Sequence, residues 1–406
     1  MDKKKYADLA AYVGVSIKKD DYVVIASSIE TYEFTRLVAA SAYEAGAKDV
    51  YINWTDGQCT KLRFEKADES VFETVPAWQV KFFEEQDAKR AAYINIISED
   101  PDLLGSIDPV RIKKNIMAQS VALKAHRIHT MSNISRWTVV AAPSKAWASK
   151  VFPNETPEDA VDKLWEAIAQ TCRMNSEDPV KEWHEHNRRS HERCEILNAK
   201  QLKSLKYKNS LGTDFEVKLP KGHIWLGGSE DDAFGTPFNP NIPTEEVFTL
   251  PDRLGANGRV VSSLPLSYNG KLIEDFEITF KDGKAVSFKA GKNEDVLKSI
   301  IENDPGSSYL GEVALVPSDS PITKLGILFY NTLFDENASC HLALGKAYPT
   351  SIQGSEGKSE EELRAMGVND ALVHVDFMVG SDDLSIVGIE QDGSEFPVFV
   401  DGKFAF

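Results

Sequence analysis

Cysteine is scarce in this 406-residue sequence: Cys59, Cys172, Cys194 and Cys340 lie far apart and form no CxxC pair. That argues against a disulfide-stapled scaffold and a cysteine-rich structural zinc site, and leads us to expect a reduced, cytoplasmic protein. Long apolar runs are also missing. No stretch of about 18 apolar residues occurs, so no transmembrane helix is expected. The start, Met1 to Tyr6, is charged without an apolar stretch behind it, so no secretory signal is expected. No long cluster of Lys and Arg appears and the net charge is −17, which makes nucleic acid and anionic membrane poor partners. Neither GxGxxG nor a Walker loop appears, and no HExxH, so nucleotide cradles and single-helix zinc proteases are not indicated.

What is present divides near residue 190, and we expect two domains, 1–190 and 191–406. In the first, Tyr22–Ala26, Val50–Asn53, Ala92–Ile97 and Thr138–Ala141 read as buried strands. Helical stretches separate them. Tyr32–Ala45 is Ala-rich and ends at Gly46, 70–90 is helical, and 157–202 is helical from the Thr156-Pro157 start onward. Strands alternating with helices imply crossovers, hence an α/β domain with a mostly parallel open sheet. His184, His186 and His191 fall on the last helical stretch. His184 and His186 are two apart and face different ways, so a solvated helix face is expected there.

After about residue 200 the texture becomes β-rich. Alternating runs such as Phe215–Leu219 and Phe276–Phe280 appear, with hairpin turns at Asp282-Gly283, Asp392-Gly393 and Asp401-Gly402. Helices are expected at 294–303, 341–346 and 360–366. The second domain is therefore α+β, and it carries the chemistry.

Of only eight histidines, His341 and His374 each have a carboxylate close by in sequence. Mixed imidazole and carboxylate donors suit Zn, Co or Mn. In His374-Val375-Asp376, strand geometry would turn the first and third side chains to one face, where both could grip one ion; an exposed polar strand face fits the same pattern. Glu312 interrupts an apolar strand, which is costly unless the carboxylate is paired, hydrogen-bonded or metal-bound. Glu336 and His341 converge only if a loop joins them, and Asp335 or Asn337 could equally serve as helix caps. Glu245 and Glu246 follow Pro243-Thr244, where a capped turn is an equal reading. Tyr348 could offer a hydroxyl to a reacting oxygen or pack as an ordinary buried tyrosine. Cys340 reads as a small packed residue beside a ligand rather than a nucleophile.

Taken together, Asn241 to Phe248, Pro265 to Gly270, Tyr309 to Val313, Asp335 to His341 and His374 to Ser381 resemble the thermophilic-aminopeptidase family of metallopeptidases. Tyr32 to Arg36 and Glu44 to Ala47 extend the likeness into the first half. The resemblance implies a metallo-aminopeptidase with two divalent ions (Zn, Co or Mn), acting on short peptides with a free amino terminus, as a homodimer. By motif, Glu246, Glu312, Glu336, His341, His374 and Asp376 would be metal ligands. Tyr348 would be the active-site tyrosine, and Glu312 or Glu246 would move the proton. A two-metal hydrolase of other amides or phosphoesters is the alternative; phosphoester work would call for nearby Arg or Lys, and the motif segments hold few. A third possibility, ions used only for folding, fits poorly with so few cysteines.

Overall fold

The structure, a computed structural model, describes residues 1–406. It divides into two compact units: residues 1–185 with 229–243, and 186–228 with 244–406. The boundary falls inside the helix Pro179–Lys200.

The first unit is built on β1 (Tyr22–Ser28), β2 (Asp49–Thr55), β3 (Ala92–Ile97) and β4 (Trp137–Ala141), ordered β2-β1-β3-β4 with every pairing parallel. The helix Tyr32–Ala45 crosses from β1 to β2 and stops at Gly46, whose φ of 110° closes the last turn at little cost for glycine. The expected helix over 70–90 is interrupted. A short turn at Glu69–Phe72 precedes the helix Ala77–Ala88, because Pro76 has no N–H to continue one and holds an extended ψ. Likewise 157–202 is two helices, Pro157–Thr171 and Pro179–Lys200, parted where Arg173 turns left-handed.

In the later chain β5 (Ser204–Lys208), β6 (Asp214–Lys218) and β7 (Leu226–Gly227) belong to the second unit. The small hairpin of β8 (Glu230–Asp231) and β9 (Pro237–Phe238) belongs to the first. The second unit continues with β10 (Val247–Thr249), β11 (Ala256–Val261), β12 (Leu266–Tyr268), β13 (Lys271–Ile273), β14 (Glu277–Lys281) and β15 (Lys284–Lys289). It ends with β16 (Leu310–Leu315), β17 (His341–Gly345), β18 (His374–Met378), β19 (Ser385–Ile389), β20 (Glu395–Val400) and β21 (Lys403–Phe404). One sheet of eight strands runs β15-β14-β11-β6-β5-β19-β20-β21, and one of five runs β18-β17-β16-β10-β7. Phe215, Ile278, Leu342 and Phe377 share their apolar core. The hairpin turning at Asp282-Gly283 and the helix Glu294–Ile301 form where the sequence pattern puts them.

One expected helix is a strand. The Ala and Leu content of 341–346 favours a helix, but His341–Gly345 is a buried strand of the five-stranded sheet, paired antiparallel on both sides. Two ladders of backbone hydrogen bonds and full burial outweigh a few tenths of a kcal/mol of helix propensity. No helix of the chain is long and apolar enough to cross a membrane.

Candidate metal centre

The five-stranded sheet sets the site's geometry. Register places Glu312 opposite Ala343 and Ala343 opposite Asp376, so the two carboxylates flank a methyl group on one row. The neighbouring rows set Ala314 against His341 and His341 against Met378, and Gly345 against His374. Because side chains alternate along a strand, His374 and Asp376 share a face, as their spacing implied. Ala343 and Gly345 leave room between the ligands. Gly345 has φ +103°, and a Cβ there would come 2.1 Å from the Val373 carbonyl oxygen. Glu246 enters just ahead of β10, beside β16.

Four short approaches define the centre. His341 Nε2 lies 3.0 Å from Glu246 Oε2 and 3.5 Å from Glu312 Oε1. His374 Nε2 lies 3.2 Å from Asp376 Oδ1 and 3.7 Å from Glu312 Oε2. Donor atoms therefore gather into two sets, Glu246–Glu312–His341 and Glu312–His374–Asp376, each within 4.8 Å. Glu312 belongs to both and turns one oxygen to each. The site is 1% exposed at His341, 5% at Glu312 and 8% at Glu246.

Both imidazoles are oriented from behind. His341 Nδ1 lies 3.1 Å from the Ser339 carbonyl and His374 Nδ1 lies 2.7 Å from that of Lys346. A carbonyl only accepts, so each Nδ1 carries a proton, and in the neutral ring each Nε2 points a lone pair at carboxylates. Glu246 Oε2 and Asp376 Oδ1 are buried without a hydrogen bond. With neutral imidazoles, lone pairs would face lone pairs in a buried space, an arrangement that a cation between them relieves, and these donors fit divalent metal.

In the ion-free state protons take the place of the cation. Burial opposes charge on His341, but Glu246 and Glu312 outweigh it and raise its pKa well above the ordinary value. Burial likewise opposes charge on His374, and Asp376 and Glu312 lift it to about 10. Glu312 is raised by burial despite His341. Asp376 is lowered: burial works against it, and the His374 charge overcomes that.

Glu336 lies in the short turn Glu336–Ala338, outside both donor sets. Burial, and then the charges of Asp376 and Glu246, push its carboxyl well above the usual range. Tyr348 sits at the rim, 37% exposed, with its ring centred 4.9 Å from that of His374. Burial of its phenol and the carboxylates of Glu312 and Asp376 raise its pKa, so it remains an O–H donor at neutral pH. Cys340 is packed as expected: its sulfur meets the Val316 N–H and carbonyl at 3.4 and 3.3 Å, and burial pushes the thiol up to about 12.

Two supporting residues escape the sequence reading. Asn337, read there only as a cap, is fully buried; its Oδ1 accepts the Glu245 N–H at 2.7 Å and its amide donates to the Leu333 carbonyl at 3.2 Å. It ties the segment bearing Glu246 to the one bearing Glu336. His186 is not on a solvated face: it is 3% exposed, and its Nε2 lies 2.8 Å from the Thr244 carbonyl, so it steadies the same segment from the other side. Of the three histidines on that helix, only His184 and His191 are exposed. A single buried histidine among charged helix residues gives no periodic signal, so sequence alone could not single it out.

The family of thermophilic metalloproteases (M29) matches residues 2–404. The chain belongs to this M29 family. It is 47% identical to aminopeptidase AmpS of Bacillus subtilis (strain 168), covering 99% of this chain and 98% of the relative. It is 38% identical to aminopeptidase T of Thermus thermophilus, at 99% and 98% coverage. The solved structure of wild-type AmpT from Thermus thermophilus superposes with a TM-score of 0.93 at 37% identity, covering 100% of this chain and 99% of that one. A 2,5-dihydroxypyridine dioxygenase from Pseudomonas putida KT2440 shares the fold alone, with a TM-score of 0.53 at 13% identity. This M29 chain is thus a metallopeptidase, and the resemblance drawn from its motifs holds along its whole length.

Proposed function

We propose that this M29 chain is a metal-dependent aminopeptidase that removes the first residue of short peptides, using two divalent ions (Zn, Co or Mn) in its 191–406 domain. The observation that carries the two-ion reading is Glu312, whose oxygens face His341 and His374 separately. Glu246 and His341 would hold one ion, His374 and Asp376 the other, with Glu312 between them. With Glu336 the site has four carboxylates, a charge that two divalent ions balance. Bound ions would supply a polarising charge for the scissile carbonyl and a water acidified toward a pKa of about 7.

The residues around them do the rest. Glu336, which neither donor set uses, would take the proton of the attacking water and return it to the leaving amine. The Tyr348 hydroxyl donates to the oxygen that becomes negative in the transition state. The carboxylates of the site favour a free α-ammonium over a capped amino terminus. Phosphoester hydrolysis finds no support, since Glu246, Glu312 and Asp376 pair only with imidazoles. The reading also includes a cytoplasmic homodimer, as the motif resemblance implies.

The test is release of free amino acid from X-Gly-Gly tripeptides and their N-acetyl versions, after chelation and again with Co, Zn or Mn restored. Cleavage of free peptides alone, lost and regained with metal, is expected. Folded, metal-supplied protein that cleaves none of them would remove this reading.

A further inference from the structure

A small open cleft begins where the donor sets end. Leu266 and Ser267 of β12, Met378 of β18, and Tyr330 and Thr332 of the 330–332 segment line it, and Glu336 and Asp376 open onto it. Its about 40 Å³ of water-reachable space holds roughly three waters, about the bulk of a four-carbon side chain. One wall is stiffened by Asp335, whose carboxylate collects the Phe329 N–H at 2.7 Å and the Asn331 N–H at 2.9 Å while Tyr330 between them turns left-handed at φ 55°. A short polar side chain thus holds this backbone in a conformation that tyrosine rarely adopts.

We infer that this cleft receives the side chain of the substrate's first residue and sets the enzyme's preference; the inference rests on the aminopeptidase reading above. The direction of the bound peptide follows from β18. Tyr348 packs on His374 at one end of the strand, and the cleft begins at Asp376, two residues or about 7 Å further along at roughly 3.3 Å per residue, and reaches Met378. An α-ammonium seeks carboxylates, and Glu336 and Asp376 stand at the cleft, so the amino end lies there and the leaving peptide lies toward Tyr348. The side chain next to that ammonium enters between Leu266 and Met378. Medium aliphatic side chains fill the space, large aromatic ones exceed it, and acidic ones meet two carboxylates.

The experiment compares kcat/KM for Leu-Gly-Gly, Ala-Gly-Gly and Glu-Gly-Gly in the metal-loaded wild type, Ser267→Leu and Thr332→Leu. The two substitutions add bulk from different segments, at a half-buried and an exposed position, so that one misfolded variant does not decide the matter. Circular dichroism and metal content confirm folded, loaded protein. The wild type is expected to prefer Leu to Ala and to reject Glu, and each filled cleft to cut the Leu-to-Ala ratio about tenfold or more. An unchanged ratio in both folded variants overturns the cleft assignment and leaves the activity standing. No cleavage of any peptide by the loaded wild type overturns the aminopeptidase reading, and the cleft assignment with it.

Discussion

At the scale of single residues, the proposed centre would separate groups that hold ions from one that moves a proton. Glu336 lies outside both donor sets, so Glu336→Gln should keep its ions by elemental analysis while kcat falls by about 10² to 10⁴. A loss of one ion per chain instead would make Glu336 a ligand. The imidazoles give a pH test. Without ions His374 holds its proton up to about pH 10, and the stability this charge lends is lost as pH rises through that value. Ion binding at pH 7 must therefore expel protons, and affinity should climb roughly tenfold per pH unit for each proton displaced. Calorimetry in buffers of different ionisation enthalpy reads that release, and a pH-independent affinity would contradict it.

At the scale of elements, the sequence displayed what repeats and concealed what depends on pairing. The parallel strands, the helix Tyr32–Ala45 and the same-face spacing of His374 and Asp376 follow local periodicity, and all were legible. Strand β17 was not, because Leu342, Ala343 and Leu344 favour a helix by themselves and become strand only through β16 and β18. Asn337 and His186 were hidden for a related reason, since their partners lie 92 and 58 residues away. Asn337 joins the segments bearing Glu246 and Glu336, so Asn337→Ala should strand the Glu245 N–H and cost about 1–3 kcal/mol in chemical denaturation. It should also weaken metal binding, measured by competition with a chelator. Lost stability with unaltered metal affinity would confine Asn337 to a packing role.

At the scale of the molecule, apolar surface is left uncovered in the first unit. No side chain of the helix Pro109–Ala122 is fully buried, and Val110, Ile116, Met117 and Val121 are exposed. Such surface is what an associating chain presents. Together with the family likeness it leads to the expectation of a dimer in sedimentation equilibrium at micromolar concentration, and a single monomeric species would count against it.

The carboxylate shared between the two donor sets has a consequence for how the enzyme responds to metal supply. With two ions bound as proposed, whichever arrives first would draw on the charge of Glu312 and leave less for the second, and by reciprocity the penalty would be the same in either order of arrival. The two loadings then separate in concentration. Between them lies a range in which half-loaded molecules dominate, and turnover there tracks the weaker step alone. Availability of the scarcer equivalent of metal, more than the amount of protein, would set the rate of peptide breakdown.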